Sequence, residues 1–180
     1  MTGTWPTSAL IVLTPLREGV TTALGEDLEA LSAEPSPFAR LASTHFVRWV
    51  VVDGGRGRAG AEREARWARP PGYLLFSALT NSPEAELVAE LRSAVGPDVD
   101  RAWGHCVGYP GHHRAAAFDH YLRRHRLRPS QVFTAYDATV PEIHRAVGLR
   151  RRHTDLALRC QALDDGELRR AFLDEFGSGR

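Results

Sequence analysis

Three short segments of this chain are apolar on both of the faces that a β-strand presents. That property limits the possible folds more than any other. Ala9-Leu-Ile-Val-Leu-Thr14 is a continuous apolar run closed by Pro15, the pattern of a strand covered on both sides. His45-Phe-Val-Arg-Trp-Val-Val-Val-Asp53 and Tyr73-Leu-Leu-Phe-Ser-Ala-Leu79 are dense in β-branched, aromatic and aliphatic residues, which favour strands. In the second segment Phe46, Arg48, Val50 and Val52 alternate with His45, Val47, Trp49 and Val51, so each set takes one face. Burying one aliphatic or aromatic side chain stabilises a fold by roughly 1.5–3 kcal/mol. A sheet of such strands with helices on one side therefore needs a second cover on the other. The candidates are another subunit, the C-terminal segment or a pocket that holds a ligand.

The intervening residues supply the helices. Val20, Leu24, Leu28 and Leu31 recur at helical spacing between Glu18 and Ala33, an amphipathic pattern stopped by Pro35 and Pro37. Asn81 and Glu84 resemble a capping box before Leu87, Leu91 and Val95, and Gly96-Pro97 ends that helix. Val99-Asp-Arg-Ala-Trp-Gly-His-Cys106 is expected to return as the fourth strand. The order over residues 9–106 is β-α-β-β-α-β, the split arrangement of a ferredoxin-like sheet with helices on one face. A C-terminal α-β-α segment extends it. Residues 112–163 form a partial second repeat, with a helix from Arg114 to Arg126, a strand from Gln131 to Tyr136, and a helix capped by Thr139 and Glu142. Residues 164–180 hold a last helix and a tail. The whole is expected to be one domain of class α+β. The Gly- and Arg-rich residues 53–72 are too long a connection for a tight hairpin.

Bulk properties exclude several classes of function. The 180 residues carry a net charge of only +1, which argues against a nucleic-acid or acidic-membrane binder. All 23 basic residues are arginine, so neither a P-loop lysine nor a lysine Schiff base for pyridoxal phosphate is available. Two cysteines and the absence of HExxH or zinc-type Cys/His spacing predict no zinc site. The first residues lack a basic n-region, and their apolar run is broken by Thr14 and Pro15. The expectation is a cytoplasmic chain with no signal peptide and no membrane span.

Two segments, His45-Phe-Val-Arg-Trp-Val-Val-Val52 and Trp103-Gly-His-Cys-Val-Gly-Tyr-Pro110, resemble segments of bacterial proteins loosely described as peroxidase-like. The alternation of two-faced strands and helices from Ala9 to Tyr136 resembles the dimeric α+β-barrel superfamily of ferredoxin-like domains. That superfamily includes haem enzymes such as dye-decolourising peroxidases, and cofactor-free monooxygenases and cyclases. The resemblance implies a homodimeric small-molecule oxidoreductase, with haem as the cofactor in one version. Its substrate would be a small apolar or aromatic molecule held over the sheet. The Gly-x-x-Asp-Gly motif of the dye-decolourising family is absent from this sequence.

Within that frame the catalytic candidates are His105, His45 and Arg48. His105, expected on the fourth strand with Trp103 on the same face, is the first choice as a general base. If haem is bound, it is also the first choice as axial ligand. In a 4-1-3-2 order His45 and His105 lie about 14 Å apart, three steps of about 4.8 Å, so they line one pocket only from opposite edges. Arg48, on an apolar strand, is suited to a carboxylate or a propionate, or to an acid from a helix. Trp103, Trp49 and Tyr109 are the expected pocket walls. Tyr109-Pro110-Gly111 has the chemistry of a type II turn. His112 and His113 are expected to diverge at the start of a helix, and Cys106 to be a small buried residue rather than a nucleophile. Two alternatives stand beside the oxidoreductase: cofactor-free chemistry on a histidine base, and a non-catalytic assembly module whose apolar face binds another chain.

Overall fold

A computed structural model describes residues 7–52, 72–130 and 138–177. The expected strand at 131–136 and nearly all of the Gly- and Arg-rich connection, residues 53–71, lie outside the described residues. The backbone divides into two compact units, residues 1–137 and 138–180.

The first unit is built on a four-stranded, open antiparallel sheet. Its strands are β1 (Ser8–Pro15), β2 (Thr44–Val52), β3 (Tyr73–Thr80) and the two-residue β4 (Arg126–Leu127), in the order β2-β3-β1-β4. Helices α1 (Thr21–Ser32), α2 (Glu84–Ser93), α3 (Gly96–Trp103) and α4 (Ala115–His125) accompany it. The three apolar runs are the three long strands.

The register fixes which side chains share a face. Leu10, Ala78 and Val47 align across the sheet, as do Val12, Phe76 and Trp49, and Thr14, Leu74 and Val51. These rows form the inner face. Leu24 and Leu31 of α1, Leu87 and Leu91 of α2, Val99, Ala102 and Trp103 of α3, and Phe118, Tyr121 and Leu122 of α4 pack into one core with it. Thr14 is a polar residue on this face, and it is satisfied: its hydroxyl donates to the Leu74 carbonyl at 3.2 Å.

Trp103 is fully buried at the centre. Its ring lies 4.9 Å from Trp49, 5.0 Å from Phe76 and 5.9 Å from Phe118 between centroids, within the range in which aromatic pairs gain energy beyond simple burial.

The sequence places a strand at Val99–Cys106, and the structure corrects this: residues 96–103 are the helix α3. Val95, Val99, Ala102, Trp103 and Cys106 are all buried, and their spacing of i, i+4, i+7, i+8 and i+11 is that of one helical face. Gly96-Pro97 does not merely end α2. Proline sits in the first turn of α3, where its missing N–H costs nothing. Only Cys106 keeps strand character, as an isolated bridge to Leu16. The fourth strand comes instead from residues 126–127, the expected end of the following helix, and pairs with Ile11 and Val12. Helix α2 starts at Glu84 with Pro83 as its N-cap, a residue that offers no side-chain cap.

The second unit contains α5 (Val140–Arg159) and α6 (Asp165–Phe176). Thr139 and Glu142 form the expected capping box, and Asp164 with Glu167 forms another. Glu175 pairs with Arg152 and Arg159, and His153 stacks on Phe176 at 4.3 Å. No helix among the described residues is long and apolar enough to cross a membrane.

Because Trp103 contacts both the sheet and α4, Trp103→Ala is expected to cost about 3–5 kcal/mol in urea unfolding. A loss below about 1 kcal/mol would show that this ring is not the keystone of the core.

Candidate functional site

Two regions of the first unit carry unexplained chemistry: the outer face of the sheet and the histidine-bearing segment 100–125. The outer face consists of the rows Ala9, Leu79 and Phe46; Ile11, Ser77 and Arg48; Leu13, Leu75 and Val50; and Pro15, Tyr73 and Val52. Leu127 extends it beside Ile11. None of these residues is buried. Phe46 is 50 %, Leu127 44 % and Val52 41 % exposed. Arg48 sits in a central row, is exposed, and has no ion-pair partner among the described residues. His45 occupies the register irregularity between Thr44 and Phe46, at one end of this face.

The other sequence-predicted residues lie elsewhere. Trp103 and Trp49 meet inside the helix-covered core, and Tyr109 packs there against Trp103, Phe118 and Tyr121. They form the core's aromatic centre rather than the walls of a cavity over the outer face. His105 is in the turn after α3, not on a strand, because α3 carries its buried side through Trp103 and ends at Gly104. It does not share a surface with Arg48.

His105 is bound to the helical layer. Its Nε2–H donates to Oδ2 of Asp27 in α1 at 2.8 Å, while the Arg101 guanidinium donates twice to Asp27 Oδ1, at 3.1 and 2.9 Å. One carboxylate thus joins α1 to α3 through both of its oxygens. The hydrogen bond from His105, followed by the bonds and charge of Arg101, holds the Asp27 carboxyl below its ordinary range in spite of its desolvation. Asp27 holds Nε2 of the His105 ring in place. This is the arrangement in which a carboxylate orients an imidazole.

Asp100, on α3, organises the segment that follows it. Oδ1 accepts from the Tyr109 hydroxyl at 2.6 Å and from the His112 backbone N–H at 2.9 Å. Oδ2 accepts from His112 Nδ1–H at 2.6 Å. Burial works to raise the Asp100 carboxyl, but these donors outweigh it and leave it below the usual range. Burial, and then the Asp100 carboxylate, push the Tyr109 hydroxyl far up, so Tyr109 stays a donor. His112 turns to Asp100 and is part-buried, while the neighbouring His113 ring is exposed. Asp100, His112 and His113 offer ligand atoms that all lie within 4.8 Å of one another.

Two glycines make this possible. A Cβ on Gly96 would overlap the His112 ring, and Gly111 has a φ of +89° and lies beneath the His113 ring. That positive φ also suits the expected turn at Tyr109-Pro110-Gly111.

An open cleft of about 510 Å³ is lined by Val107, Pro110 and Tyr121 together with His120, Arg124 and His125. Cys106 is buried, with Sγ 3.1 Å from Thr14 Oγ1. Burial pushes its thiol up, consistent with the expected inert role.

No protein-family model, curated protein or solved structure matches this chain.

The Asp27 clamp generates a pH prediction. A depressed folded-state pKa contributes stability above the unfolded carboxyl pKa of about 3.9, and that stability is lost as pH falls through the lower folded value. Asp27→Asn is therefore expected to lower the melting temperature at pH 7, with the difference from wild type shrinking below about pH 4. A difference that is constant from pH 7 to pH 3 would contradict the clamp.

Proposed function

We propose that this chain is a small-molecule oxidoreductase domain of the ferredoxin-like, dimeric α+β-barrel type. In this reading a second copy closes over the outer sheet face and encloses an apolar or aromatic substrate. The observation that carries it is the pair of faces: the inner one is filled by helices, while the outer one presents Phe46, Val50, Leu75, Leu13 and Ile11 in aligned rows around Arg48. Contiguous apolar surface of this kind marks an interface or a binding surface, and two sheets pack face to face about 10 Å apart. The strand order β2-β3-β1-β4 supports the same class. Arg48, Ser77, Tyr73 and, at the end, His45 supply the polar contacts to a substrate carboxylate or hydroxyl.

The position of His105 favours a second reading, a non-catalytic assembly module that uses the same face. With His105 turned to Asp27, the rows of the outer face contain no imidazole held by a carboxylate.

Val50→Asp separates these readings from a monomer. An exposed substitution of this kind changes stability by only about 0.5 kcal/mol in a chain that works alone. The wild-type protein is expected to be dimeric by light scattering and to bind anilinonaphthalene sulfonate. Val50→Asp should be a folded monomer without dye binding. A wild-type dimer that binds no apolar probe selects the assembly module. A wild-type monomer indistinguishable from Val50→Asp overturns both.

A further inference from the structure

We propose that Asp100, His112 and His113 bind a divalent first-row transition metal ion, through Asp100 Oδ2, Nδ1 of His112 and a ring nitrogen of His113, the ion taking the place of the proton that Nδ1 now donates to Oδ2 and releasing it to solvent. This goes beyond the reading of the sheet face and does not rest on it.

Three observations converge on the site. The ligand atoms are grouped within 4.8 Å, and donors about 2.0–2.2 Å from a common ion lie roughly 3.3–3.6 Å apart at tetrahedral angles, so a shift of the exposed His113 ring and a parting of Oδ2 from Nδ1 would bring all three onto one ion. The carboxylate is oriented in advance: Tyr109 and the His112 backbone both donate to Oδ1, leaving Oδ2 turned to the imidazole. Metal-ligating carboxylates are held by second-shell donors of this kind. The two rings rest on glycines, and any side chain at Gly96 would displace His112. The loop is thereby shaped around the ring positions, as a loop that merely returns the chain to α4 does not need to be.

The donor set decides the kind of ion. Two imidazoles and one carboxylate suit zinc, iron, cobalt or nickel, whereas magnesium and calcium prefer all-oxygen sites. Structural zinc sites are closed by four protein ligands, while sites with three protein ligands keep positions for water or substrate. His113 is exposed, and Asp100 and His112 are part-buried, so the ion would sit at the surface with its open positions toward solvent. The 3.6-residue helical period predicts divergence for adjacent histidines. Here both precede α4, in a turn where Gly111 has a positive φ.

The test uses the full chain, stripped with a chelator and titrated with Zn²⁺ by calorimetry and with Co²⁺ by its visible d–d absorption. One equivalent of either ion is expected to bind. Tyr109→Phe keeps the ring but removes the donor to Asp100, and should weaken binding by about 10–100-fold. Asp100→Asn and His113→Ala each remove a ligand and should weaken it further than that, with the Co²⁺ band changed or lost. Asp100 also anchors residues 109–112, so His113→Ala, which removes an exposed ring, decides the matter if Asp100→Asn does not fold. His120→Ala, on the exposed side of α4, should bind as wild type does. Failure of wild type to bind either ion overturns the proposal. So does binding that His113→Ala leaves unchanged, which would mean adventitious contact with other surface imidazoles.

Discussion

The first unit depends on one imbalance: its β-layer is apolar on both faces, and the helices among the described residues cover only one. The covered side is a dense aromatic and aliphatic core in which Trp103 touches Trp49, Phe76 and Phe118. Removing one such ring leaves a cavity the surroundings cannot fill. The other side carries side chains of the same chemistry, but half-exposed. Each methylene removed from water is worth roughly 0.8 kcal/mol. A chain with such a surface gains by covering it.

Polar chemistry is kept to the rim of the core. Asp27 and Asp100 stand on opposite sides of the same problem, how to hold an imidazole at the end of a short helix. Asp27 divides its two oxygens between Arg101 and His105. Asp100 gives one oxygen to Tyr109 and the His112 backbone, and presents the other to the His112 ring. The first arrangement is saturated and ties α1 to α3. The second leaves His113 without a hydrogen-bonding partner among the described residues, beside a fixed carboxylate, which is why it is the one that suits an ion.

Much of this was legible in the residues. The three long strands, α1, α2, α4, α5 and the Thr139 cap follow directly from periodicity and capping chemistry, and the two-faced character of β2 predicts the open side. The stretch Val95–Cys106 was not legible as a strand pattern because Trp103 and Val99 weigh towards β-structure, while the helical spacing of Val95, Val99, Ala102, Trp103 and Cys106 runs across a Gly-Pro that reads as a stop. Once α3 replaces the strand, His105 and Trp103 leave the sheet, and the expected pocket walls become core. The site clusters were hidden for another reason. Asp27 lies 78 positions from His105 and Asp100 lies 12 from His112; neither spacing belongs to a local motif. Gly111 after Pro110 was the available signal for a reversed chain at the two histidines, but a turn residue does not say which side chain it makes room for.

Whether the outer face of the sheet is shielded in solution is measured directly by the paramagnetic relaxation of its methyl groups by a soluble gadolinium chelate. Methyls of Val50, Leu75, Leu13 and Ile11 should relax as slowly as those of buried Leu10 and Val12. Relaxation as fast as that of Leu158, which is 62 % exposed, would show that water covers the face and would contradict a shielded sheet.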